Sequence, residues 1–405
     1  MNWVWNSVGV VRQYNTEEEN SIDIEFHDTA IHHAMHISNS LNYTMADISS
    51  EVVILAADKD DDTPSKLTCM HFGSWDNAKE WTTSLPEGEN IQAITVGEKW
   101  IAVATDRRYV RMFSLAGVQR EMFSIPGPVV CMSGQNNRLM LIYHKGMAIP
   151  GDQSLELLLI KVDGKRKRTL LNGISLPLSP KASVSWLGFT AEGTPLYMDS
   201  AGVVRMLNKA FGPSWTPVAN TKTHAKGKSD HYWLVSVHEN PQQLRCIPCK
   251  GSRYPPTLPR PAVTILPFEL PLCDMATEKS QYEEALWRSR LFSNHIDQWT
   301  SQGYECDTEV KNELLKPAQE ALMKLFALSA RSDREYRALE VCDLMPDEHM
   351  LQLAIKYATR LKHIQLAQRV SELAVNRQED EVESDIEPEE DFRVGLNARL
   401  LYNTL

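Results

Sequence analysis

The stretch Trp100-Ile101-Ala102-Val103-Ala104-Thr105-Asp106-Arg107-Arg108-Tyr109-Val110-Arg111-Met112-Phe113 gives the clearest indication of the fold. Two short apolar runs separated by a polar turn are typical of a β-hairpin. The same pattern returns at 186–207, where short apolar segments alternate with turns that contain Gly193 and Gly202. Val204-Arg205-Met206-Leu207 also resembles Val110-Arg111-Met112-Phe113, which indicates a weak internal repeat.

Similar short strands fill the chain from its start to about residue 265, and helical periodicity is absent from this region. Propellers of the WD type use about 40 to 45 residues per blade, so a region of this length predicts about six blades. A β-sandwich would be shorter. The Trp-Asp signature of WD repeats occurs only at Trp75-Asp76, so the pattern of strands, and not the signature, favours the propeller.

The composition changes after this region. Prolines cluster between Pro241 and Pro271, which favours extended backbone and marks a domain boundary, with a proline-rich linker at 266–273. Apolar residues then recur at helical spacing, which predicts a small bundle of four or five helices over 274–378. The acidic segment 379–405 has too little apolar surface to fold and is expected to be disordered. The predicted fold class is therefore an all-β propeller, at 1–265, followed by an all-α helical bundle.

Charge and cysteine content restrict the function classes. The net charge is −11, and removing the nine acids between Glu379 and Asp391 leaves only −2. A near-neutral body with one acidic tail argues against a broad basic surface for phosphate binding. Seven scattered cysteines suit a reducing compartment. Neither a signal peptide nor a membrane-spanning segment is evident, so a soluble intracellular protein without membrane contact is expected.

Three clusters could carry chemistry. Cys246 and Cys249 have the spacing of a zinc knuckle, but a second pair is missing, and two buried thiols are the simpler interpretation. His27, His32, His33 and His36 lack an accompanying carboxylate pattern, so we predict no metal site. A basic tetrad follows Asp163-Gly164 and either decorates a hairpin turn or serves in nuclear targeting or phosphate contact. Its members are Lys165, Arg166, Lys167 and Arg168.

The chain contains no nucleophile elbow, Walker loop or dinucleotide-binding glycine motif. The sequence therefore predicts no enzyme, no catalytic residues and no cofactor. A propeller enzyme is the alternative, and it would show carboxylates converging in the central channel with raised pKa values.

The helical region offers a second kind of site, because helical bundles bind amphipathic partner helices in grooves. The same apolar residues would serve equally well as bundle core. Ser384, which is followed by Asp385 and Glu387, resembles an acidophilic kinase site, and an inert solvated serine is the alternative. The candidate groove residues are Leu351, Ile355, Ala358, Leu366 and Val370.

Four stretches closely resemble the family of WD-repeat and HMG-box DNA-binding proteins of animals, also called acidic nucleoplasmic DNA-binding proteins. They are Ile24–His33, Gly227–Trp233, His238–Arg253 and Leu353–Ala358. The resemblance implies a SepB-type propeller followed by a helical bundle. The N-terminal WD-repeat propeller and the C-terminal HMG box of that family have no counterpart in this sequence.

The resemblance implies a nuclear, chromatin-associated replication-fork adaptor that assembles as a homotrimer. Such an adaptor links the replicative helicase, through its GINS component, to DNA polymerase alpha, and supports DNA replication and sister chromatid cohesion. DNA binding would be indirect or would use regions absent from this chain. The alternative is a direct nucleic-acid-binding module that uses the basic tetrad 165–168 together with Lys222, Lys226 and Lys228.

Overall fold

The computed structural model describes residues 2–16, 20–73, 79–163, 166–208, 212–256, 260–301 and 308–386. The chain divides into two compact units, residues 1–271 and residues 272–405. The first unit consists of β-sheets and the second of α-helices.

The first unit is a β-propeller of six antiparallel sheets, each formed by consecutive strands of the chain. The prediction of about six blades followed by a helical bundle is confirmed. Blades 1 to 3 contain β1 (Asn2–Trp5), β2 (Gly9–Asn15), β3 (Asn20–Phe26), β4 (Met35–Ser38), β5 (Tyr43–Ile48), β6 (Val52–Ala57), β7 (Lys66–His71), β8 (Glu80–Ser84), β9 (Ile91–Val96), β10 (Ile101–Thr105), β11 (Tyr109–Phe113) and β12 (Gln119–Ser124). Blades 4 to 6 contain β13 (Val129–Gln135), β14 (Arg138–His144), β15 (Leu155–Asp163), β16 (Arg166–Ser175), β17 (Val184–Phe189), β18 (Pro195–Asp199), β19 (Val203–Asn208), β20 (Ser214–Asn220), β21 (His231–Glu239), β22 (Gln242–Cys249) and β23 (Thr264–Pro267).

Strand position within a blade explains the apolar runs. The second strand of most blades is buried on both faces, because each blade packs against its neighbours. Strand β6 (VVILAA) and strand β10 (IAVAT) are buried at every residue, whereas the edge strand β12 (QREMFS) is mostly exposed. The hairpin predicted from Trp100 to Phe113 is formed by β10 and β11, with Ala104 opposite Val110.

Neighbouring blades are joined by hydrogen bonds near the turns that follow their first strands. Asp47, in β5 of blade 2, accepts hydrogen bonds from Thr95 Oγ1 at 2.9 Å and Val96 N at 3.0 Å, both in β9 of blade 3. Its other carboxylate oxygen accepts from Ile48 N at 2.9 Å. Similar hydrogen bonds join other neighbouring blades. Asn6 Nδ2 donates to the Ile48 oxygen between blades 1 and 2, and Glu98 N and Trp100 Nε1 donate to the Asn136 oxygen between blades 3 and 4. Gln135 Nε2 donates to the Thr190 oxygen between blades 4 and 5, and Glu239 N donates to Glu192 Oε2 between blades 5 and 6.

Blade 6 has three strands, and its outer strand β23 pairs Leu266 with Leu244. The strand ends at Pro267, so two residues of the predicted linker 266–273 belong to this sheet. A proline is compatible with this position because an edge strand leaves one side of its backbone unpaired. Leu270 is also buried within the first unit.

Within its described residues, the second unit contains five helices, and one apolar cluster includes buried side chains from all five. Arg377 on the last helix donates hydrogen bonds to the carbonyl oxygens of Cys342, Asp343 and Met345, and so satisfies the free carbonyls at the end of the third helix. The helices are α1 (Glu278–Ser301), α2 (Thr308–Arg331), α3 (Glu335–Asp343), α4 (Glu348–Arg360) and α5 (Ile364–Ile386).

Helix α5 is longer than the sequence pattern indicates, because its backbone stays helical to Ile386 and so includes the first eight residues of the predicted tail at 379–405. Glutamate is a good helix former, and adding residues to an existing helix is easier than starting one. Residues 387–405 lie outside the described residues. Among the helices that the structure describes, none combines the length and apolar character needed to cross a membrane.

The Asp47 junction predicts a pH effect on propeller stability. Burial raises the pKa of Asp47 to about 6 from 3.8, so the folded state favours the protonated form. The protonated Asp47 side chain therefore stabilises the folded propeller below pH 4, and this contribution is lost as the pH rises through 6. Relative to Asp47→Asn, we expect the wild-type free energy of unfolding to fall by up to about 3 kcal/mol over this window. Urea unfolding followed by tryptophan fluorescence at several pH values measures this difference, and parallel pH profiles for the two proteins would contradict it.

Candidate partner-docking site

The structure places the predicted groove residues mainly in the core of the helical bundle. Leu351, Ala358, Leu366 and Val370 are fully buried, and Ile355 is partly buried against the same cluster. Helices α4 and α5 pack face to face through them, so these side chains fill the space between the helices and do not line an open groove. The amphipathic pattern identified the buried face, because a helix with one apolar face buries that face in its own domain.

A different part of the bundle presents accessible apolar and charged groups. The turn between α2 and α3 lies beside the turn between α4 and α5. The two ring nitrogens of His363, in the second turn, lie 3.6 Å from carboxylate oxygens of Asp333 and Glu335 in and after the first. The start of α1 lies at this end too, since Thr277 lines the same cleft as Ser332 and Arg334. We call this region the α2–α3 end of the bundle.

A cleft of about 340 Å³ opens at the α2–α3 end. Three of its residues are basic and one is acidic, and α1 directs the positive end of its dipole towards it. Arg334 is exposed and Arg337 is partly exposed, and neither forms an ion pair with a residue that the structure describes. The cleft is lined by Thr277, Glu278, Lys279, Leu328, Ser329, Ser332, Arg334 and Arg337.

Large apolar side chains are exposed close to the cleft. Tyr336 lies between the two cleft arginines in sequence and is 78% exposed, and Ile364 at the start of α5 is 74% exposed. The guanidinium of Arg369 lies 5.8 Å from the centroid of the Tyr336 ring, which orients the ring without covering it. Exposed apolar groups beside basic groups fit a partner segment that carries apolar and acidic residues. Sequence periodicity did not indicate these residues, because their exposure depends on how the turns pack.

The predicted basic and regulatory residues are located elsewhere. Arg166, Lys167 and Arg168 begin the outer strand of blade 4, paired with Asp163, Val162 and Lys161, and Lys165 lies outside the described residues. Lys222, Lys226 and Lys228 lie beside blade 6, so the two basic groups belong to different blades. Ser384 lies in the last part of the α5 backbone helix.

Cys246 and Cys249 lie in blade 6, and Asp47 lies in blade 2. No group of three or more histidine, cysteine or acidic side chains could hold a metal ion within the described part of the chain. Cys246 and Cys249 are both buried, and burial raises the pKa of the Cys249 thiol to about 11. Asp47, whose pKa is raised by burial, accepts two hydrogen bonds from blade 3 and one from Ile48 N in its own strand, which is a structural role.

Each of the two units matches a known protein family. Residues 3–272 match the family described as minichromosome loss protein, Mcl1, middle region. The chain belongs to this Mcl1 family. Residues 280–380, which include most of the helical unit, match the family described as DNA polymerase alpha-binding protein Ctf4, C-terminal domain. The propeller is thus the Mcl1 middle region, and the α2–α3 end lies on the Ctf4 C-terminal domain.

Relatives of this Mcl1 family member are similar over nearly the whole chain. WD repeat and HMG-box DNA-binding protein 1 of Xenopus laevis is 56% identical over 92% of this chain and 33% of its own length. The Homo sapiens protein of the same name is 54% identical over 98% of this chain and 35% of its own length. The DNA polymerase alpha-binding protein of Saccharomyces cerevisiae is 20% identical over 93% of this chain and 46% of its own. The chain therefore spans about a third of the length of its animal relatives.

Two substitutions on α5 distinguish packing residues from surface residues. Leu366→Ala removes a fully buried side chain, and we expect it to lower the free energy of unfolding of the bundle by about 2 to 5 kcal/mol. The matched control Ile364→Ala changes an exposed side chain on the same helix and should alter stability by less than about 0.5 kcal/mol. Denaturant unfolding followed by circular dichroism at the helical band measures both. Equal effects of the two substitutions would show that Leu366 does not belong to the core.

Proposed function

We propose that this protein is a non-enzymatic adaptor of the nuclear DNA replication machinery, and that its helical bundle docks partner segments at the α2–α3 end. The observation that carries this proposal is the match of residues 280–380 to a domain described as DNA polymerase alpha-binding. The helices in that match form most of the cleft and carry the exposed apolar side chains beside it.

The partner segment is an amphipathic helix or turn with acidic residues next to apolar ones. Tyr336 and Ile364 provide apolar contact area, and large exposed side chains of this type contribute strongly to binding once a partner covers them. Arg334 and Arg337 pair with carboxylates of the segment, and a planar guanidinium can bind a carboxylate through two hydrogen bonds. The positive end of the α1 dipole adds to this attraction at the cleft.

DNA polymerase alpha is the first proposed partner, in keeping with the name of the Saccharomyces cerevisiae relative. The replicative helicase, through its GINS component, is the second, and joining the two would couple unwinding to DNA synthesis and support sister chromatid cohesion. The propeller mediates self-association into a homotrimer. A trimer presents three bundles, so one adaptor can hold two partners at once.

Charge reversal in the cleft tests the docking site. We expect Arg334→Glu with Arg337→Glu to weaken binding to a purified DNA polymerase alpha catalytic subunit by tenfold or more, because the substitutions replace attraction for acidic residues with repulsion. The matched control is Lys316→Glu with Lys356→Glu, which reverses the same charge at exposed positions on α2 and α4. Biolayer interferometry on immobilised full-length chain gives both affinities.

The two double variants have the same net charge, so a general electrostatic effect would weaken both equally. Equal weakening, or no weakening by the cleft variant, would contradict docking at the α2–α3 end. Melting curves by circular dichroism confirm that both variants are folded. A further replacement, Tyr336→Ala, should also weaken binding while leaving the melt unchanged, since this ring is exposed.

The assembly state is tested separately. Light scattering coupled to size-exclusion chromatography at micromolar concentration should give a mass three times the 46.0 kDa of the single chain. A monomer mass across the accessible concentration range would rule out the proposed trimer, without affecting the docking test, which each bundle can pass alone.

A further inference from the structure

Two basic loops lie together at one end of blade 6. The first, residues 221–230, connects β20 to β21, and the second, residues 250–254, follows β22. They are adjacent because the antiparallel pairing of β21 and β22 places His231 opposite Cys249. We call the surface that they form the blade 6 loop surface.

A single carboxylate holds the two loops in place. One oxygen of Asp230 accepts a hydrogen bond from Gly227 N within the first loop, and the other accepts from Gly251 N in the second loop, both at 2.9 Å. The hydrogen bonds from Gly251 and Gly227 lower the pKa of Asp230, so the carboxylate stays ionised at neutral pH. Lys222 Nζ also donates to the backbone oxygen of Asp230 at 2.7 Å. The loops therefore have a defined conformation before any ligand binds.

The remaining cations of this surface are unneutralised. The two loops contain five Lys or Arg residues and only one acid, Asp230, which is already engaged by the loops themselves. Four of the five are exposed and form no ion pair with any residue that the structure describes. In contrast, arginines inside the propeller are paired, as Arg111 is with Glu89 at 2.6 Å. The four exposed cations are Lys226, Lys228, Lys250 and Arg253.

An exposed aromatic ring lies next to these cations. Tyr254 follows Arg253 directly and is 52% exposed. The centroid of the Trp233 ring lies 6.1 Å from that of Tyr254, so a partly buried neighbour supports the ring on one side. The hydrogen bond from Tyr254 N to Ser252 Oγ, at 3.1 Å, fixes the turn that presents it. A supported, partly exposed ring can stack on a planar group.

We propose that the blade 6 loop surface binds single-stranded nucleic acid, with Lys226, Lys228, Lys250 and Arg253 contacting phosphates and Tyr254 stacking on a base. Cations that follow a backbone beside an aromatic ring are the usual combination for single-strand binding, because each base offers a π-face to stack. A duplex keeps its bases stacked inside, so it would use the cations and not the ring. An acidic peptide has neither evenly spaced phosphates nor bases. This proposal is independent of partner docking on the helical bundle.

The probe is a fluorescein-labelled oligothymidylate of 20 nucleotides, measured by fluorescence anisotropy with the full chain. Four phosphate contacts predict that the logarithm of the binding constant falls with the logarithm of salt concentration with a slope of about −3. Lys226→Glu, Lys228→Glu and Lys250→Glu together should lower affinity by tenfold or more and flatten this slope. Tyr254→Ala should lower affinity about fivefold or more with the slope unchanged. The matched control is Lys79→Glu, Lys99→Glu and Arg120→Glu, three exposed cations on blades 2 and 3.

Each competing interpretation gives a different result. If the control triple variant weakens binding as much as the loop variant, the interaction is general electrostatics and the proposal fails. If a 20-base-pair duplex binds as tightly as the single strand and Tyr254→Ala changes nothing, the surface binds duplex DNA and the single-strand assignment is wrong. If a glutamate-rich peptide displaces the oligonucleotide with equal affinity, the ligand class is acidic peptide. Circular dichroism melts matching the wild type exclude unfolding as the cause of any loss.

Discussion

The contact between blade 6 and blade 1 is the constraint on which the propeller depends. Every blade is made from one continuous segment of the described chain, so no strand from one end of the unit completes the sheet at the other end. The ring closes instead through side chains: Trp5, Val10 and Ile247 form a buried cluster with Trp233 packed against it, and Trp233 Nε1 donates to the backbone oxygen of Trp5 at 3.4 Å. Each blade needs an apolar neighbour on both faces, because its middle strands are buried on both sides. Loss of this closure would expose one face of blade 1 and one of blade 6 to water.

The sequence predicted the parts of the fold that local pattern determines. Short apolar strands with polar turns identified the propeller, since the hairpin at 100–113 has the same physical requirements in any blade. The ends of the elements were harder to predict from the sequence. Strand β23 extends to Pro267 because it pairs with β22, and helix α5 extends to Ile386 because a formed helix propagates past the end of the apolar pattern. The junctions between blades were not predictable, because Asp47 meets Thr95 and Val96 only through the arrangement of whole sheets.

The candidate docking site was harder to predict from the sequence than the fold. Periodicity selected Leu351, Ala358, Leu366 and Val370, and all four are buried in the core, because an amphipathic helix first buries its apolar face in its own domain. The residues that stay accessible, Tyr336 and Ile364, lie at the first or second residue of a helix, where the packed face is incomplete. Their exposure results from the turns between helices, and turns carry no apolar period. Functional surfaces often lie on such connections, supported by a rigid scaffold.

The net charge of the sequence also did not predict where charged residues would cluster on the surface. A near-neutral body argued against a broad basic surface, and inside the propeller arginine charges are indeed matched, as in the pairs Arg12 with Glu25 and Arg205 with Asp199. Net charge, however, averages over the whole chain, whereas a phosphate responds only to charges within about a Debye length, roughly 8 to 10 Å at moderate salt. The loops beside blade 6 concentrate five basic residues around one acid that is already engaged by backbone amides. An acidic protein can therefore present a locally basic surface.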